Sequence, residues 1–455
     1  MDNPINPLIF KAYDIRGVYP MEINQDVAYN IGRALVMHTG AKKVAVGYDM
    51  RETSAELEKG LIKGITDQGS DVIKIGLSTT PMVYFSSWNL FVDAAVIITA
   101  SHNPAEWNGM KLCLKDAVPI GEGNGMEEIR NLAIADNFSA SEKKGEFSEN
   151  LELKEKYLDY MAGFFKKGLG KKKMVIDFAN GMGIFDKPVY EKFPEDLKVV
   201  YMYDEYDGSF PNHEANPLKT ETLEALQKKV VEEKADVGIS YDGDADRVGF
   251  VDEKGEVVRM DFVTALLAKE ILKKHPGGLV LADVRSSNAV MEVIKEAGGE
   301  ARHCRIGHSL IKAQMRREGA VFAGELSGHY FFEENSKAEM TTLAVITIIN
   351  LLNETGKTMS ELTAELKRYY QSGEINSDVP DKDVILAKLK EIYCEGDCDE
   401  LDGVRINYPE FWFNVRPSNT EPKLRMNLEA KSKELMEQKR DEVLGIIRNF
   451  GRKSE

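Results

Sequence analysis

Val237-Gly238-Ile239-Ser240, followed at once by Tyr241-Asp242-Gly243-Asp244-Ala245-Asp246-Arg247, is the stretch that indicates how this chain folds. The apolar segment predicts a buried strand, and the acidic segment after it predicts a loop at the strand's end. Its three carboxylates stand at alternate positions and can converge on one hard cation such as Mg²⁺, which prefers oxygen ligands. The spacing also resembles a calcium loop, but the later glycine and bidentate glutamate of such a loop are missing. An acidic surface turn is the remaining alternative.

The same arrangement of an apolar strand and a polar loop recurs along the chain. The three units occupy residues 93–104, 236–247 and 319–329. Open α/β sheets bind ligands beyond the carboxyl ends of their strands, so each loop is a candidate part of a site. Further strands are predicted at 43–47, 173–177, 279–283 and 411–415, and helices at 223–234, 265–274, 359–370 and 434–450. This alternation predicts α/β domains with parallel or mixed sheets layered by helices.

The first of these loops contains a serine that could be chemically active. The strand Asp93–Ile98 leads into Thr99-Ala100-Ser101-His102-Asn103-Pro104, and the loop continues to Lys111. A bare serine is a weak nucleophile, which needs a base, a cation or prior phosphorylation. A phosphorylated Ser101 would carry about −1.5 to −2 charges and could share the cation of the acidic loop. From this segment alone, a turn-forming serine and a structural His102 remain alternatives.

With two more segments, the chain resembles the α-D-phosphohexomutase family, most closely its bacterial phosphomannomutase/phosphoglucomutase branch. Gly324-Glu325-Leu326-Ser327-Gly328-His329 looks like the sugar-recognition loop of that family. Arg416-Pro417-Ser418-Asn419-Thr420-Glu421-Pro422 looks like its phosphate-binding loop. The four motifs stand in the family's order, and the resemblance runs from Lys11 to Arg425.

The resemblance implies a fold, a cofactor and a reaction. We expect three related α/β domains with mixed sheets and a smaller C-terminal α+β domain around a central cleft. The domains are expected at 1–147 (phosphoserine loop), 148–254 (metal-binding loop), 255–371 (sugar-recognition loop) and 372–455 (phosphate-binding loop). Phosphate on Ser101 would pass to a hexose phosphate, with Mg²⁺ held by Asp242, Asp244 and Asp246 and by the phosphorylated Ser101. The resulting glucose or mannose 1,6-bisphosphate, which is also the expected activator, would return its other phosphate, so that phosphate moves between C1 and C6.

The resemblance also implies a role for each remaining site residue. Lys111 and Arg16 are expected beside the transferred group, His329 as general acid or base or as a supporting contact, and His102 as a support of its loop. Glu325 and Ser327 would hold the 3- and 4-hydroxyls of the sugar, with Arg247, Arg285, His308 and Arg425 as further substrate contacts. Arg416, Ser418, Asn419 and Thr420 would hold the phosphate that is not transferred.

Three departures from the family pattern and one conservative replacement bear on specificity. Tyr48 stands where arginine is common, Ala215 where proline is frequent, and Arg285 where the branch usually has lysine. Leu326 is close to the methionine of the dual mannose/glucose branch, whereas glucosamine-phosphate mutases tend to have glutamine there. A grip on the 3- and 4-hydroxyls would not sense C2, so activity on both sugars is expected. A phosphoglucosamine mutase, a Mg²⁺-dependent sugar phosphatase and a non-catalytic sugar-phosphate-binding protein are the alternatives.

Composition sets the remaining limits. A chain of 455 residues with 43% hydrophobic residues is too long for one core and predicts three or four well-packed domains. A formal net charge of −16 argues against nucleic acid or an anionic membrane as partner, so local arginine and lysine must attract an anionic substrate. The four cysteines lack metal-type spacing, and neither a signal pattern nor a membrane-length apolar run is present. We expect a cytoplasmic protein that binds small hexose phosphates, as a monomer or weak homo-oligomer.

Overall fold

The computed structural model describes residues 5–139, 141–417 and 423–450, which form four β-sheets with helices packed against them. The first sheet has seven strands in the order β1-β5-β4-β2-β3-β7, with β6 paired to β5. Its strands are β1 (Ile15–Val18), β2 (Lys43–Tyr48), β3 (Asp71–Leu77), β4 (Ala94–Ile98), β5 (Trp107–Leu114), β6 (Val118–Pro119) and β7 (Phe147–Glu149). The helices of this unit are α1 (Gln25–Thr39), α2 (Ser54–Asp67), α3 (Thr80–Asn89) and α4 (Met126–Ala135).

The second and third sheets have five strands each, in the orders β12-β11-β10-β8-β9 and β14-β13-β15-β16-β17. The second unit contains α5 (Leu153–Ala162), β8 (Lys172–Asp177), α6 (Lys187–Glu191), β9 (Leu197–Met202), α7 (Thr220–Glu233), β10 (Val237–Tyr241), β11 (Val248–Asp252) and β12 (Val257–Val258). The third contains α8 (Met260–Lys274), β13 (Leu279–Asp283), α9 (Asn288–Glu296), β14 (Glu300–Cys304), α10 (His308–Glu318), β15 (Phe322–Gly324), β16 (Tyr330–Phe332), β17 (Ala338–Glu339), α11 (Thr341–Thr355) and α12 (Met359–Ala364).

These three sheets share one topology, which confirms the prediction of related α/β units with mixed sheets. In each, three neighbouring strands are parallel and a fourth returns antiparallel beside the third: β5 beside β4, β11 beside β10, and β16 beside β15. The loops at 99–106, 242–247 and 325–329 therefore occupy the same place in the three units. Each is the tight connection that leaves the carboxyl end of a buried parallel strand.

The fourth unit is built around an antiparallel sheet, β18-β23-β22-β21-β20, with β19 also paired to β23. Its elements are β18 (Tyr370–Gln371), β19 (Ile375–Asp378), α13 (Lys382–Ile392), β20 (Asp397–Asp399), β21 (Val404–Asn407), β22 (Phe411–Pro417), β23 (Lys423–Ala430) and α14 (Lys433–Phe450). The smaller α+β unit expected from the resemblance is thus confirmed.

Local predictions were wrong at two places. The helix expected over 359–370 ends at Ala364, and Tyr370 instead pairs with Ala430 at the edge of the fourth sheet. The strand expected from Gly319 begins at Phe322, because Gly319 ends helix α10 in a left-handed conformation. At Tyr370 a tertiary strand contact determines the backbone, and at Gly319 a helix cap does. The apolar spacing that suggested a longer helix and a longer strand does not decide either conformation.

The largest hydrophobic core runs through the first three units and joins their inner faces. Separate cores support the helices α1 and α2 and the fourth sheet. Among the described residues, no helix is both long enough and apolar enough to span a membrane.

Candidate active site

Ser101 lies buried at the start of the first loop, in a backbone conformation that few non-glycine residues adopt. Its φ angle is 52°, and its amide donates to Thr99 Oγ1 at 2.9 Å. The Ser101 hydroxyl donates to Asp242 Oδ2 at 3.0 Å, and His102 Nδ1 lies 3.2 Å from the same Oγ. When the hydroxyl proton is directed at Asp242, the contact with His102 requires the tautomer that carries its proton on Nδ1. Strained residues of this kind are frequent at active sites.

A buried guanidinium holds this loop in place. Arg51 is paired with Asp49 and directs its other nitrogens at the loop backbone. The accepting carbonyl oxygens, at 2.6 to 3.0 Å, belong to Ser101, Asn103, Pro104 and Trp107. Arg16, anchored on Asp14, donates to Ala100 O and to the Asn103 side chain from the other side. The serine loop is thus a rigid support for Oγ.

The serine loop and the acidic loop approach one another at backbone distance. A Cβ on Gly243 would lie 2.2 Å from Ser101 O, so only glycine fits there. This close approach brings the predicted nucleophile of the first unit against the predicted metal loop of the second.

The acidic loop is a compact, buried carboxylate cluster. Asp242, Asp244 and Asp246 are fully buried, and one oxygen of each lies within 4.8 Å of the others. Lys111 Nζ donates to Asp244 at 2.6 Å and to Asp246, and Thr80 Oγ1 donates to Asp244 at 2.6 Å. Burial and the two neighbouring carboxylates raise the pKa of Asp242 well above its ordinary value. Burial alone would lower the pKa of Lys111, but Asp244 and Asp246 raise it.

This cluster fits a divalent cation. Asp244 Oδ1 and Asp246 Oδ1 are buried and have no hydrogen-bond partner among the described residues. Each such acceptor costs about 1–3 kcal/mol when it is left unsatisfied. A hard cation that accepts oxygen ligands would satisfy both atoms and offset the repulsion among the carboxylates.

His329 lies at the third loop but contacts the second. Its Nδ1 hydrogen-bonds to Asp246 O at 3.0 Å, and its Nε2 accepts from Arg247 Nε at 3.0 Å. Burial, with Arg247 and Lys111, lowers its pKa well below the ordinary value. In this arrangement a neutral His329 positions Arg247, and the basic nitrogen of His329, Nε2, already accepts a hydrogen bond.

The third loop presents the carboxylate of Glu325, which two hydrogen bonds hold in place. Glu325 accepts from Gly307 N at 2.9 Å and from Ser327 Oγ at 2.6 Å. Asp283 forms a two-point pair with Arg285 and also accepts from Leu326 N at 2.6 Å. Asp283 therefore joins the Arg285 segment to the Glu325 loop.

His308 and Tyr13 line the space beside Glu325. The buried His308 has no hydrogen-bond partner for either ring nitrogen among the described residues, and its ring centroid lies 5.8 Å from that of Tyr13. Tyr13 donates to Ile306 O at 3.0 Å. Arg416 and Tyr13 both line a cavity of about 370 Å³. The two unsatisfied ring nitrogens of His308 are suited to sugar hydroxyls.

Three arginines predicted to contact the substrate converge on one carboxylate. Arg416 Nη2 and Arg425 Nη1 donate to the two oxygens of Glu374 at 3.1 and 3.2 Å, and Arg285 Nη1 lies 3.9 Å from Oε2. Ser418, Asn419 and Thr420 lie outside the described residues.

The structure thus brings the predicted residues into three adjoining groups. The groups are Ser101, His102, Lys111, Arg16 and the three aspartates; Arg247, His329, Glu325, Ser327, Arg285 and His308; and Arg416 with Arg425. Sequence reasoning missed Arg51, Thr80 and Glu374. Arg51 stands in the Gly47–Arg51 segment, whose Asp-x-Arg pattern was a usable signal, whereas nothing local marks the other two.

Family models match almost the whole chain. Their descriptions are phosphoglucomutase/phosphomannomutase alpha/beta/alpha domain I for residues 7–139, domain II for 155–255, domain III for 259–369 and the C-terminal domain for 374–446.

Individual proteins agree with these models. A phosphomannomutase of Methanocaldococcus jannaschii is 40% identical over 446 residues, which cover 97% of each chain. A phosphomannomutase of Escherichia coli K12 is 34% identical over 432 residues, or 93% of this chain and 94% of that one. The crystal structure of a phosphoglucomutase/phosphomannomutase family protein from Burkholderia thailandensis superimposes with a TM-score of 0.89 at 28% identity, covering 99% of both chains.

Proposed function

Because the chain belongs to the α-D-phosphohexomutase family and is a phosphohexomutase, we propose that it moves phosphate between C1 and C6 of a hexose through a phosphoserine at Ser101. The observation that carries this proposal is the contact between the two loops. The Ser101 hydroxyl donates to Asp242 at 3.0 Å, inside a buried carboxylate cluster with two unsatisfied oxygens. Only 1% of Ser101 is exposed, which disfavours loss of its phosphate to bulk water, as a phosphatase would require.

The chain's own residues position both partners of the transfer. The P–O bond at Ser101 Oγ breaks as a bond to the sugar hydroxyl oxygen forms, and in net terms the proton that this hydroxyl releases is the one that Oγ takes up. Arg51 and Arg16 fix the serine loop, so that Oγ is held in one orientation. His102 Nδ1 lies close enough to donate to Oγ as it becomes the leaving group.

The three aspartates would hold Mg²⁺, which supplies charge neutralisation to the phosphoryl group when bound. Lys111 contributes a second positive charge on the Asp244 and Asp246 side of the cluster. Arg247, oriented by His329, directs a further guanidinium toward the sugar.

Recognition must serve two orientations of one bisphosphorylated sugar, glucose 1,6-bisphosphate or mannose 1,6-bisphosphate. Glu325 and Ser327 would hold the 3- and 4-hydroxyls, and Arg416, Arg425 and the 418–420 segment would hold the phosphate that is not transferred. These contacts do not involve C2, at which mannose and glucose differ, so we propose turnover of both mannose and glucose phosphates.

We also propose a cytoplasmic location, with which the four free cysteines are in keeping.

Intact mass with peptide mapping tests the relay. The purified protein is measured before and after addition of glucose 1,6-bisphosphate with Mg²⁺, and Ser101→Ala serves as the matched control. We expect a gain of one phosphoryl group on Ser101, lost again on excess hexose monophosphate, and no gain in the variant. An unmodified Ser101 under every condition contradicts the relay.

Product analysis tests specificity. Mannose, glucose and glucosamine 1-phosphates are supplied separately, and 6-phosphates and free phosphate are measured. We expect 6-phosphates from the first two sugars. Efficient conversion of glucosamine phosphate alone would identify a phosphoglucosamine mutase, and release of free phosphate would identify a phosphatase.

A further inference from the structure

Glu374 occupies the centre of the arginine group that should receive phosphate. Its Oε2 accepts from Arg416 at 3.1 Å and its Oε1 from Arg425 at 3.2 Å. Arg285, from the third unit, lies 3.9 Å from Oε2. One carboxylate, between β18 and β19 of the fourth unit, therefore bridges arginines of two units.

The backbone holds Glu374 in this position. Gly373 has a φ of 69°, which glycine adopts without strain, and it lies in the short connection between β18 and β19, which run in the same direction along β23. Ser372 is fixed on both sides by Leu428, since the Ser372 amide donates to Leu428 O at 2.9 Å and the Leu428 amide to Ser372 Oγ at 3.0 Å. Asn376, two residues after Glu374, is the register partner of Arg425 in β23.

Glu374 presents to these arginines a pair of negatively charged oxygens, as a phosphate would. Arg416 and Arg425 are themselves register partners in β22 and β23, so their side chains project from the same face of the sheet. Carboxylates and phosphates are both recognised through paired oxygens by guanidinium groups. Burial and the neighbouring Arg285 lower the pKa of Arg416, and the Glu374 charge opposes this.

We propose that Glu374 is an internal competitor of the substrate phosphate, which neutralises Arg416 and Arg425 in the free enzyme and limits how tightly they hold the non-transferred phosphate. This inference rests on the proposed function. A bisphosphorylated intermediate must exchange its two ends, so each phosphate has to leave the arginine group during every cycle. A carboxylate that returns to the arginines stabilises the state in which phosphate has left.

Binding measurements without turnover test this competition directly. In a Ser101→Ala background, which removes phosphoryl transfer, Glu374→Gln is compared with the unchanged glutamate by calorimetric titration of glucose 6-phosphate and of inorganic phosphate. Glutamine keeps the size of the side chain but removes its charge. We expect at least 10-fold tighter binding of both ligands, with slower dissociation, and no change from Glu410→Gln, an exposed acid paired with Lys431 in the same unit. Glu374→Ala provides a second variant with the same expected direction if the glutamine variant does not fold.

With Ser101 intact, Glu374→Gln should lower KM and also lower kcat, because release of phosphate becomes slower. Equal or weaker binding by the Glu374 variants, or no binding by any form, overturns the competition. The relay is judged separately, by phosphorylation of Ser101 in the unsubstituted enzyme, so either idea can fail alone.

Discussion

At the scale of single residues, the candidate site contains buried carboxylates whose oxygens are only partly satisfied by hydrogen bonds from other residues. Asp244 and Asp246 each keep one oxygen without a hydrogen bond among the described residues, although Lys111 neutralises part of their charge. Replacing one of these carboxylates with a neutral group should therefore weaken binding of the cation more than it destabilises the fold.

Asp244→Asn is expected to raise the Mg²⁺ concentration needed for half-maximal activity by at least 10-fold, because one charged ligand is replaced by a neutral one. The measurement is activity against Mg²⁺ concentration, together with calorimetric titration of Mg²⁺ alone. Asp441→Asn, an exposed acid on α14, is the control and should behave as the unsubstituted enzyme. An unchanged Mg²⁺ requirement would contradict the assignment of Asp244 as a ligand. Chelation with excess EDTA should abolish turnover in both proteins.

Asp186 provides a pH-dependent effect on stability away from the reacting groups. Burial raises its pKa to about 7, although a hydrogen bond from Thr342 opposes the shift. The folded state therefore retains the proton up to about pH 7, whereas the unfolded state loses it near the usual 3.8. Stability from this group is fully present below the unfolded pKa and declines as pH rises to about 7.

Asp186→Asn should accordingly be more stable than the unsubstituted protein at pH 8, by up to about 4 kcal/mol at ~1.4 kcal/mol per pKa unit. The advantage should shrink steadily as pH falls from 7 toward 5. Urea unfolding at several pH values measures it. A constant difference across this range would show that the Asp186 pKa is not raised.

At the scale of elements, the loop between β4 and β5 is held by a side chain from another part of the chain. Arg51 follows β2 and donates to four carbonyl oxygens of the loop at 2.6 to 3.0 Å. Lysine has the same charge but cannot make this planar set of contacts. Loss of the clamp should free Ser101 to leave its left-handed conformation.

Arg51→Lys is expected to lower kcat by about 10- to 100-fold with little change in KM, since substrate contacts are made elsewhere and misplacement of a reacting group costs about that much. Steady-state kinetics and the rate of Ser101 phosphorylation by glucose 1,6-bisphosphate measure the effect. Arg302→Lys, at a side chain 48% exposed, is the matched control. A raised KM with normal kcat would place Arg51 in substrate binding instead.

The elements also show what the sequence could predict. Val237–Tyr241 is a largely apolar run, and the acidic segment Asp242–Arg247 follows it directly. A local sequence pattern therefore predicted both the strand and its loop. The strand at Tyr370 and the contacts of Arg51 depend on partners about 50 to 60 residues away. Propensity within a short window does not contain that information.

At the scale of the whole molecule, repetition of one topology explains why four motifs far apart in sequence form one site. Each of the first three units places its loop at the same strand end, and the fourth adds its arginines through β22 and β23. The motifs and their order could be predicted from sequence. Glu374 could not, because Arg416 and Arg425 reach it only through pairing within the fourth sheet, and Arg285 only when the third and fourth units dock.

A buried cation of the fourth unit lies where the third and fourth units meet. Arg405 lies 3.7 Å from the Trp412 ring centroid and donates to Val284 O and, at 3.1 Å, to Asn288 Oδ1 in the third unit. Glu429 completes the contact by accepting from Asn288 N at 2.9 Å. These bonds end on Val284 and Asn288, on either side of Arg285 in the chain, so the proposed substrate contact and the docking of the fourth unit depend on the same segment.

Arg405→Met should weaken docking of the fourth unit by about 3 kcal/mol, because it removes buried hydrogen bonds and the positive charge that interacts with Glu429. In a Trp88→Phe, Trp107→Phe background, Trp412 is the sole tryptophan and reports the environment of the interface. We expect its fluorescence transition in urea to precede the loss of circular dichroism in the variant, while the two coincide with arginine present. KM for hexose phosphates should rise, since Arg285 is no longer held against the fourth unit. Lys431→Met, at an exposed side chain of that unit, should change neither measurement. Coincident transitions in the Arg405 variant would show that other contacts fix the fourth unit, and that its position is not set by this cation.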